Sequence, residues 1–183
     1  MVCIGITGTI GAGKGTVVEY LEKSRGFRHF SVRSFLLEYI RQEGMPENRD
    51  SMFLLGNRLR KEFGSSYVVD YLYNLALESG DNCVIESIRT PGEAVSLRSK
   101  GNFFLLAVDA DPKIRYERIL ERKSETDTIS FTTFVDNEER EMSSADPNCQ
   151  NIRECILMAD FVLTNNRSRE KLFAQLEEIL KKI

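Results

Sequence analysis

The feature that most constrains this chain is a glycine-rich turn set between an apolar run and a helical pattern. Residues 2–7 read as a buried strand, and a helical pattern runs over 14–23 with Val17, Val18 and Leu21 on its inner face. Between them stands Gly8-Thr9-Ile10-Gly11-Ala12-Gly13, closed by Lys14-Gly15-Thr16. Glycines let successive backbone N–H groups turn toward one point. A helix amino terminus adds partial positive charge there, and Lys14 adds a full one. The combination suits the phosphates of a nucleoside triphosphate. The plain alternative is a tight strand-to-helix turn. Gly15 stands where a hydroxyl ligand of magnesium usually follows the lysine. Thr16, one place on, suits a more internal phosphate. Magnesium is then expected on phosphates, water and a carboxylate from elsewhere.

Beyond the turn, short apolar runs alternate with helical ones. Strands are expected at 27–32, 82–86, 103–108 and 161–164, and helices at 34–42, 66–79, 112–122, 130–142, 151–158 and 168–182. Met52, Leu55, Leu59 and Phe63 recur at i, i+3, i+7 and i+11 and make one helical stripe. Thr90-Pro91-Gly92-Glu93 has the form of a capping box with proline at the first helical position. Strands alternating with helices imply a parallel sheet covered on both faces, because each parallel connection needs a crossover. The expected fold is α/β, a three-layer α/β/α arrangement around a five-stranded parallel sheet. Residues 1–183 form one domain in this reading, with a helical acceptor-binding segment at 33–80 and a lid segment at 123–150. Ligands are expected at the carboxyl ends of the strands.

Composition excludes several classes. The chain is 42% hydrophobic and 29% charged with a net charge of −3, so no general basic excess points to DNA or a membrane surface. No apolar run approaches the roughly 20 residues of a membrane span. No basic leader precedes the first apolar run, so no signal peptide is expected. Cys3, Cys83, Cys149 and Cys155 form no CxxC pair and His29 is the one histidine, which argues against zinc. Unpaired thiols fit an intracellular, cytoplasmic setting.

Several residues are candidates for chemistry. Glu86 ends an apolar strand, where it either binds magnesium through water or is a solvated strand end; its position favours the former. Arg89, three residues on, could grip an acceptor phosphate bidentately. Arg115, Arg118 and Arg122 share a helical stripe and either stabilise charge on a moving phosphoryl group or pair with Glu117 and Glu121. Arg118 and Arg122 are the favoured pair. Arg49, Arg58, Arg60 and Lys61 form a basic cluster suited to an anionic substrate, or a solvated face. Asp136, Glu138, Glu139 and Glu141 are expected on the solvated face of the lid segment. His29 is expected to be packed at a strand end.

The string from Gly8 to Thr16 resembles the phosphate loop of P-loop nucleoside monophosphate kinases, adenylate kinase in particular. His29-Phe30-Ser31, Glu86-Ser87-Ile88-Arg89-Thr90 and the arginines at 115, 118 and 122 are similar to that family's second strand, third-strand terminus and lid-entry helix. The run Ala159–Asn166 looks more like dephospho-CoA kinases. Adenylate kinases carry Gly-Asp and then arginine after the second strand; here the residues are Arg33, Ser34 and Leu37. The resemblance implies a P-loop NTPase fold, ATP and Mg2+ as cofactors, and transfer of the γ-phosphoryl group to a small-molecule acceptor, most simply a nucleoside or deoxynucleoside monophosphate. It implies nucleotide contacts from Gly8, Gly11, Ala12, Gly13, Lys14, Gly15, Thr16 and Asn165. It implies catalytic roles for Lys14, Glu86, Arg118 and Arg122, and acceptor contacts from Arg33, Arg58 and Arg89. Hydroxyl phosphorylation of the dephospho-CoA kinase kind stays open. So does an ATPase switch or assembly factor acting on a protein or RNA.

Overall fold

The computed structural model describes residues 1–122 and 130–183, with the backbone alone for Arg122. The strands are β1 (Cys3–Gly8), β2 (Arg28–Ser31), β3 (Cys83–Glu86), β4 (Phe103–Asp109) and β5 (Phe161–Thr164). Between β1 and β2 lies α1 (Lys14–Arg25), and α2 (Val32–Gln42), α3 (Arg49–Phe63) and α4 (Tyr67–Ser79) lie between β2 and β3. Helix α5 (Pro91–Ser99) joins β3 to β4, and α6 (Pro112–Arg122), α7 (Phe131–Met142) and α8 (Ile152–Leu157) follow β4. Helix α9 (Arg169–Leu180) comes after β5.

The strands form one sheet in the order β2-β3-β1-β4-β5, every neighbouring pair parallel. This is the α/β P-loop NTPase fold. Side chains of β1 alternate between two cores. Ile4 and Ile6 pack with Val17, Val18 and Leu21 of α1 and Leu172, Leu176 and Ile179 of α9. Cys3 lies in the opposite core with Leu55, Leu72, Leu97 and Cys155. A full Leu or Ile burial of this kind contributes about 1.5–3 kcal/mol, which holds both helical layers on the sheet. A third, smaller cluster joins Ile10 of the glycine-rich turn to Ile119 of α6 and Phe134 of α7.

The chain signals account for the helix starts. Thr90 Oγ1 accepts from Glu93 N at 3.2 Å while Glu93 Oε2 accepts from Thr90 N at 3.1 Å, completing the capping box. Asp111 Oδ1 accepts from Lys113 N at 2.9 Å ahead of α6. The apolar stripe of α3 is not buried to its end. Leu55 and Leu59 are buried, but Phe63 is 59% exposed. The inner position in that last turn goes to Arg60, 2% exposed, which enters the core because a carboxylate waits for it there. Among the described residues, no helix is long and apolar enough to cross a membrane.

Candidate active site

A cleft of about 800 Å³ is lined by the glycine-rich turn, Glu86 at the end of β3, and residues of α2, α3, α6 and α7. The turn is held by its neighbours as well as by its own conformation. A Cβ on Gly8, whose φ is +134°, would stand 2.0 Å from the carbonyl oxygen of Val108 on β4. Gly13, at φ +100°, would put one 2.3 Å from Asn165 Nδ2. Gly8 therefore requires glycine on two counts, backbone region and space, and Gly13 chiefly for its backbone region. Asn165 Nδ2 donates to Ala12 O at 2.8 Å, and Asn165 N donates to Asp109 O at 2.8 Å. Thr9 Oγ1 donates to Asp109 Oδ1 at 2.6 Å. The end of β5 thus braces the turn from outside.

Lys14 Nζ donates to Gly8 O at 2.9 Å and Thr9 O at 2.7 Å, folded over the turn it follows. Burial, helped by the positive charge of Arg89, pushes its pKa down to about 7, against the opposing pull of Glu141 and Glu86. An arriving polyphosphate would favour the charged form. Arg118 Nη2 donates to Asn165 O at 2.9 Å, but its Nη1 is buried without a hydrogen-bond partner. A buried guanidinium nitrogen left unpaired beside an anion cradle fits a phosphate oxygen that would complete it.

Glu86 Oε1 accepts from Ser31 Oγ at 3.0 Å and lies 3.6 Å from His29 Nε2. Burial would raise its carboxyl pKa, but His29, Ser31 and Lys14 together outweigh that and leave it lowered. Glu86 correspondingly raises the pKa of His29. Among the described residues, no group of three or more His, Cys, Asp or Glu could cage a metal. A carboxylate on the same cleft as the glycine-rich turn does fit magnesium, which keeps several waters and takes phosphate oxygens. Ser87, next to Glu86, has φ +67°, the one positive φ outside glycine among the described residues. Such a conformation costs about 1–3 kcal/mol and persists where the surroundings impose it.

The far part of the cleft is basic but internally paired. Arg89 Nη1 donates to Glu141 Oε2 at 2.6 Å and to Gln150 Oε1 at 2.9 Å. Arg49 Nη2 donates to the other carboxylate oxygen, Glu141 Oε1, at 2.8 Å. Below them Arg60 Nε donates to Glu93 Oε1 at 2.8 Å, with both side chains almost wholly buried. The second oxygen of Glu93 accepts from Arg89 N at 2.6 Å. One carboxylate therefore ties α3 to the backbone that carries Arg89.

Residues 4–144 match the family described as AAA domain. A UPF0200 protein of Methanothermobacter thermautotrophicus is 30% identical over all of this chain and 91% of its own length. The chain belongs to the UPF0200 family, and it carries an AAA domain. A UPF0200 protein of Methanocaldococcus jannaschii is 28% identical, again over the whole chain and 91% of its own length. Among solved structures, a sugar kinase from Janibacter sp. matches with a TM-score of 0.58 at 13% identity, covering 99% of this chain and 95% of its own. Shikimate kinase of Aquifex aeolicus gives 0.54 at 14%, covering 99% and 97%. At such identities the structural matches speak for a kinase-like fold.

In this UPF0200 protein the structure gathers Gly11, Ala12, Gly13, Lys14, Gly15, Thr16, Glu86, Arg33, Arg89, Arg118 and Asn165 on one cleft. It does not gather all the candidates. Arg58 is exposed and pairs with Glu43 at 2.5 Å, away from the cleft, because it stands on the solvent face of α3, opposite buried Leu59 and Arg60. Gly8 serves through its carbonyl, which Lys14 holds. Arg115 is buried, donating to Ala110 O at 2.7 Å and Ile10 O at 3.1 Å and pairing with Glu138, so it supports the turn from beneath. The Arg122 side chain and residues 123–129 of the expected lid lie outside the described residues.

Two acidic residues depart from expectation. Asp136 and Glu139 are exposed as expected, but Glu138 is drawn to Arg115 and Glu141 is 2% exposed between two arginines. Opposite charge on other elements overrode the solvated face that α7 shows in isolation. The one signal the sequence offered is Arg49, which has no acidic residue three or four positions to either side. The described cysteines are all free thiols, and Cys3, Cys83 and Cys155 are buried.

Proposed function

We propose that this protein is an ATP-dependent phosphotransferase that moves the γ-phosphoryl group to a small-molecule acceptor, a nucleoside monophosphate. The observation that carries the reading is a single cleft lined at once by the Lys14 turn and by Arg33, Arg49 and Arg89. One set suits a triphosphate and the other an acceptor phosphate. The kinase-like fold of the structural relatives supports it.

In this reading the glycine-rich turn and Lys14 hold the β- and γ-phosphates, and Arg118 meets the charge that builds on the moving group. Magnesium would sit on phosphate oxygens and water, with Glu86 as its protein partner through water. When bound, it would neutralise phosphate charge. Arg89 and Arg33 hold the acceptor so that its phosphate oxygen lies in line with the γ-phosphorus. That oxygen forms the new P–O bond as the bond to the bridging β-phosphate oxygen breaks and ADP leaves. An acceptor phosphate brings an ionised oxygen, so no general base is required. Positioning and electrostatics supply the rate.

The test incubates the protein with MgATP and, separately, each nucleoside monophosphate and dephospho-CoA. ADP formation that depends on a nucleoside monophosphate supports the reading. Turnover with dephospho-CoA alone would shift it to a hydroxyl acceptor, with Glu86 as base. Slow hydrolysis indifferent to every acceptor would replace it with an ATPase switch acting on a protein or RNA.

A further inference from the structure

Glu141 is unusual among the acidic residues that face a cation. Its carboxylate is buried, it belongs to α7, and it bridges arginines from two other elements, Arg49 of α3 and Arg89 of the β3–α5 connection. Each oxygen takes one arginine, at 2.8 and 2.6 Å. All three side chains line the cleft. Two guanidinium groups converging from different elements make a geometry that receives a planar or tetrahedral oxyanion.

Charge shows why the carboxylate is a poor permanent occupant. Arg49 and Arg89 bring two positive charges and Glu141 returns one, with Gln150 contributing a neutral amide oxygen to Arg89. The net excess of one positive charge is matched by a ligand of two negative charges with Glu141 withdrawn, not by Glu141 itself. A phosphate monoester dianion supplies that charge and more acceptor lone pairs than a carboxylate. Breaking a buried ion pair is costly when a charge is left alone. Exchanging one anion for another leaves neither arginine alone and releases Glu141 toward water at the end of its helix.

We infer that Glu141 is an internal stand-in for the acceptor: its carboxylate fills an anion subsite built by Arg49 and Arg89, and a phosphate monoester displaces it. The inference rests on the acceptor end assigned under the proposed function. It adds a consequence for α7. The same helix is pinned to the glycine-rich turn through Phe134, packed on Ile10 and Ile119, and to α3 through Arg140, paired with Asp50 at 3.0 Å. Displacing Glu141 removes one of the attachments between α7 and the acceptor end while leaving the attachment to the donor end.

The experiment titrates the full chain with inorganic phosphate by calorimetry, with ADP and magnesium in excess to fill the glycine-rich turn. Wild type is compared with Glu141→Gln, Glu141→Asp and the double variant Glu141→Gln/Arg89→Ala. Glu141→Gln keeps the shape and removes the competing charge, so phosphate is expected to bind at least about tenfold tighter. Glu141→Asp, with its shorter arm, is expected to fall between. The added affinity is expected to vanish in the double variant, which assigns it to this subsite. Equal phosphate affinity in wild type and Glu141→Gln would overturn the inference. So would a loss of the fold in both single variants that phosphate fails to restore, since the two arginines need an anion and not Glu141 itself. If phosphate binding tightens but no acceptor ever supports turnover, the subsite stands and the kinase reading falls. If acceptor-dependent turnover is found but the affinity does not change, the reverse holds.

Discussion

The two ends of the cleft are built on opposite principles. At the proposed donor end, one stretch of chain from Gly8 to Thr16 makes the anion cradle, and Asn165 and Asp109 brace it from afar. At the acceptor end no two of Arg49, Arg89, Glu141 and Gln150 lie within eight residues of each other, and every contact crosses between elements. The donor end is a property of local backbone geometry. The acceptor end is a property of how helices are stacked. The first is fixed by backbone geometry at Gly8, Gly11 and Gly13, and the second by the balance of charge among its side chains.

The largest expected effect tests the donor end alone. Lys14→Ala removes the full charge of the cradle and should cut nucleotide turnover by about 10³-fold or more, with the thermal midpoint little changed. Unimpaired turnover in that variant would end the donor assignment. At the acceptor end the corresponding blow falls on stability. Arg60→Met strips Glu93 of its buried partner and should cost about 3–5 kcal/mol in urea unfolding. A change under about 1 kcal/mol would mean that the backbone N–H groups of Arg89 and Thr90 satisfy Glu93 without help. Asn165→Ala should be milder, about 1–3 kcal/mol, because it leaves the carbonyl of Ala12 without its donor. It should also weaken nucleotide binding, so a variant with lower stability and intact affinity would separate brace from cradle.

Two smaller effects follow from pH. The depressed pKa of Lys14, about 7, means that the free protein is largely unprotonated there above that pH. A triphosphate would restore the charge, so binding near pH 8 should take up protons, and binding near pH 5.5 should take up almost none from this group. Calorimetry in buffers of different ionisation heat reads this directly. Glu141 is the reverse case. Burial acts to raise its pKa, but Arg89 and Arg49 outweigh it and hold it lowered. Its contribution to stability is complete above its unfolded value, about 4.3, and is lost as pH falls through the lower folded value. The acid limb of a urea-midpoint profile should therefore be shallower in Glu141→Gln than in wild type.

What the sequence made legible follows the same division. The strand-turn-helix unit, the capping box at Thr90 and the five strands were readable because periodicity, glycine placement and capping act within a few residues. The burial of Arg60 was not, since the stripe through Met52, Leu55, Leu59 and Phe63 gave no reason for a cation to enter the core. That reason is Glu93, thirty-three positions away. Glu141 is buried against expectation for the same cause: the arginine of α7 itself, Arg140, pairs with Asp50 instead, and the partners of Glu141 come from α3 and the β3–α5 connection. Arg58 failed in the other direction, because a basic cluster in sequence does not say which face of a helix looks at the cleft.

The brace at Asn165 links two very different places in the sheet. Asn165 follows β5, an edge strand, while the turn it secures follows β1, the central one. A local opening of that edge would unclasp the glycine-rich turn without breaking a bond of the central strand.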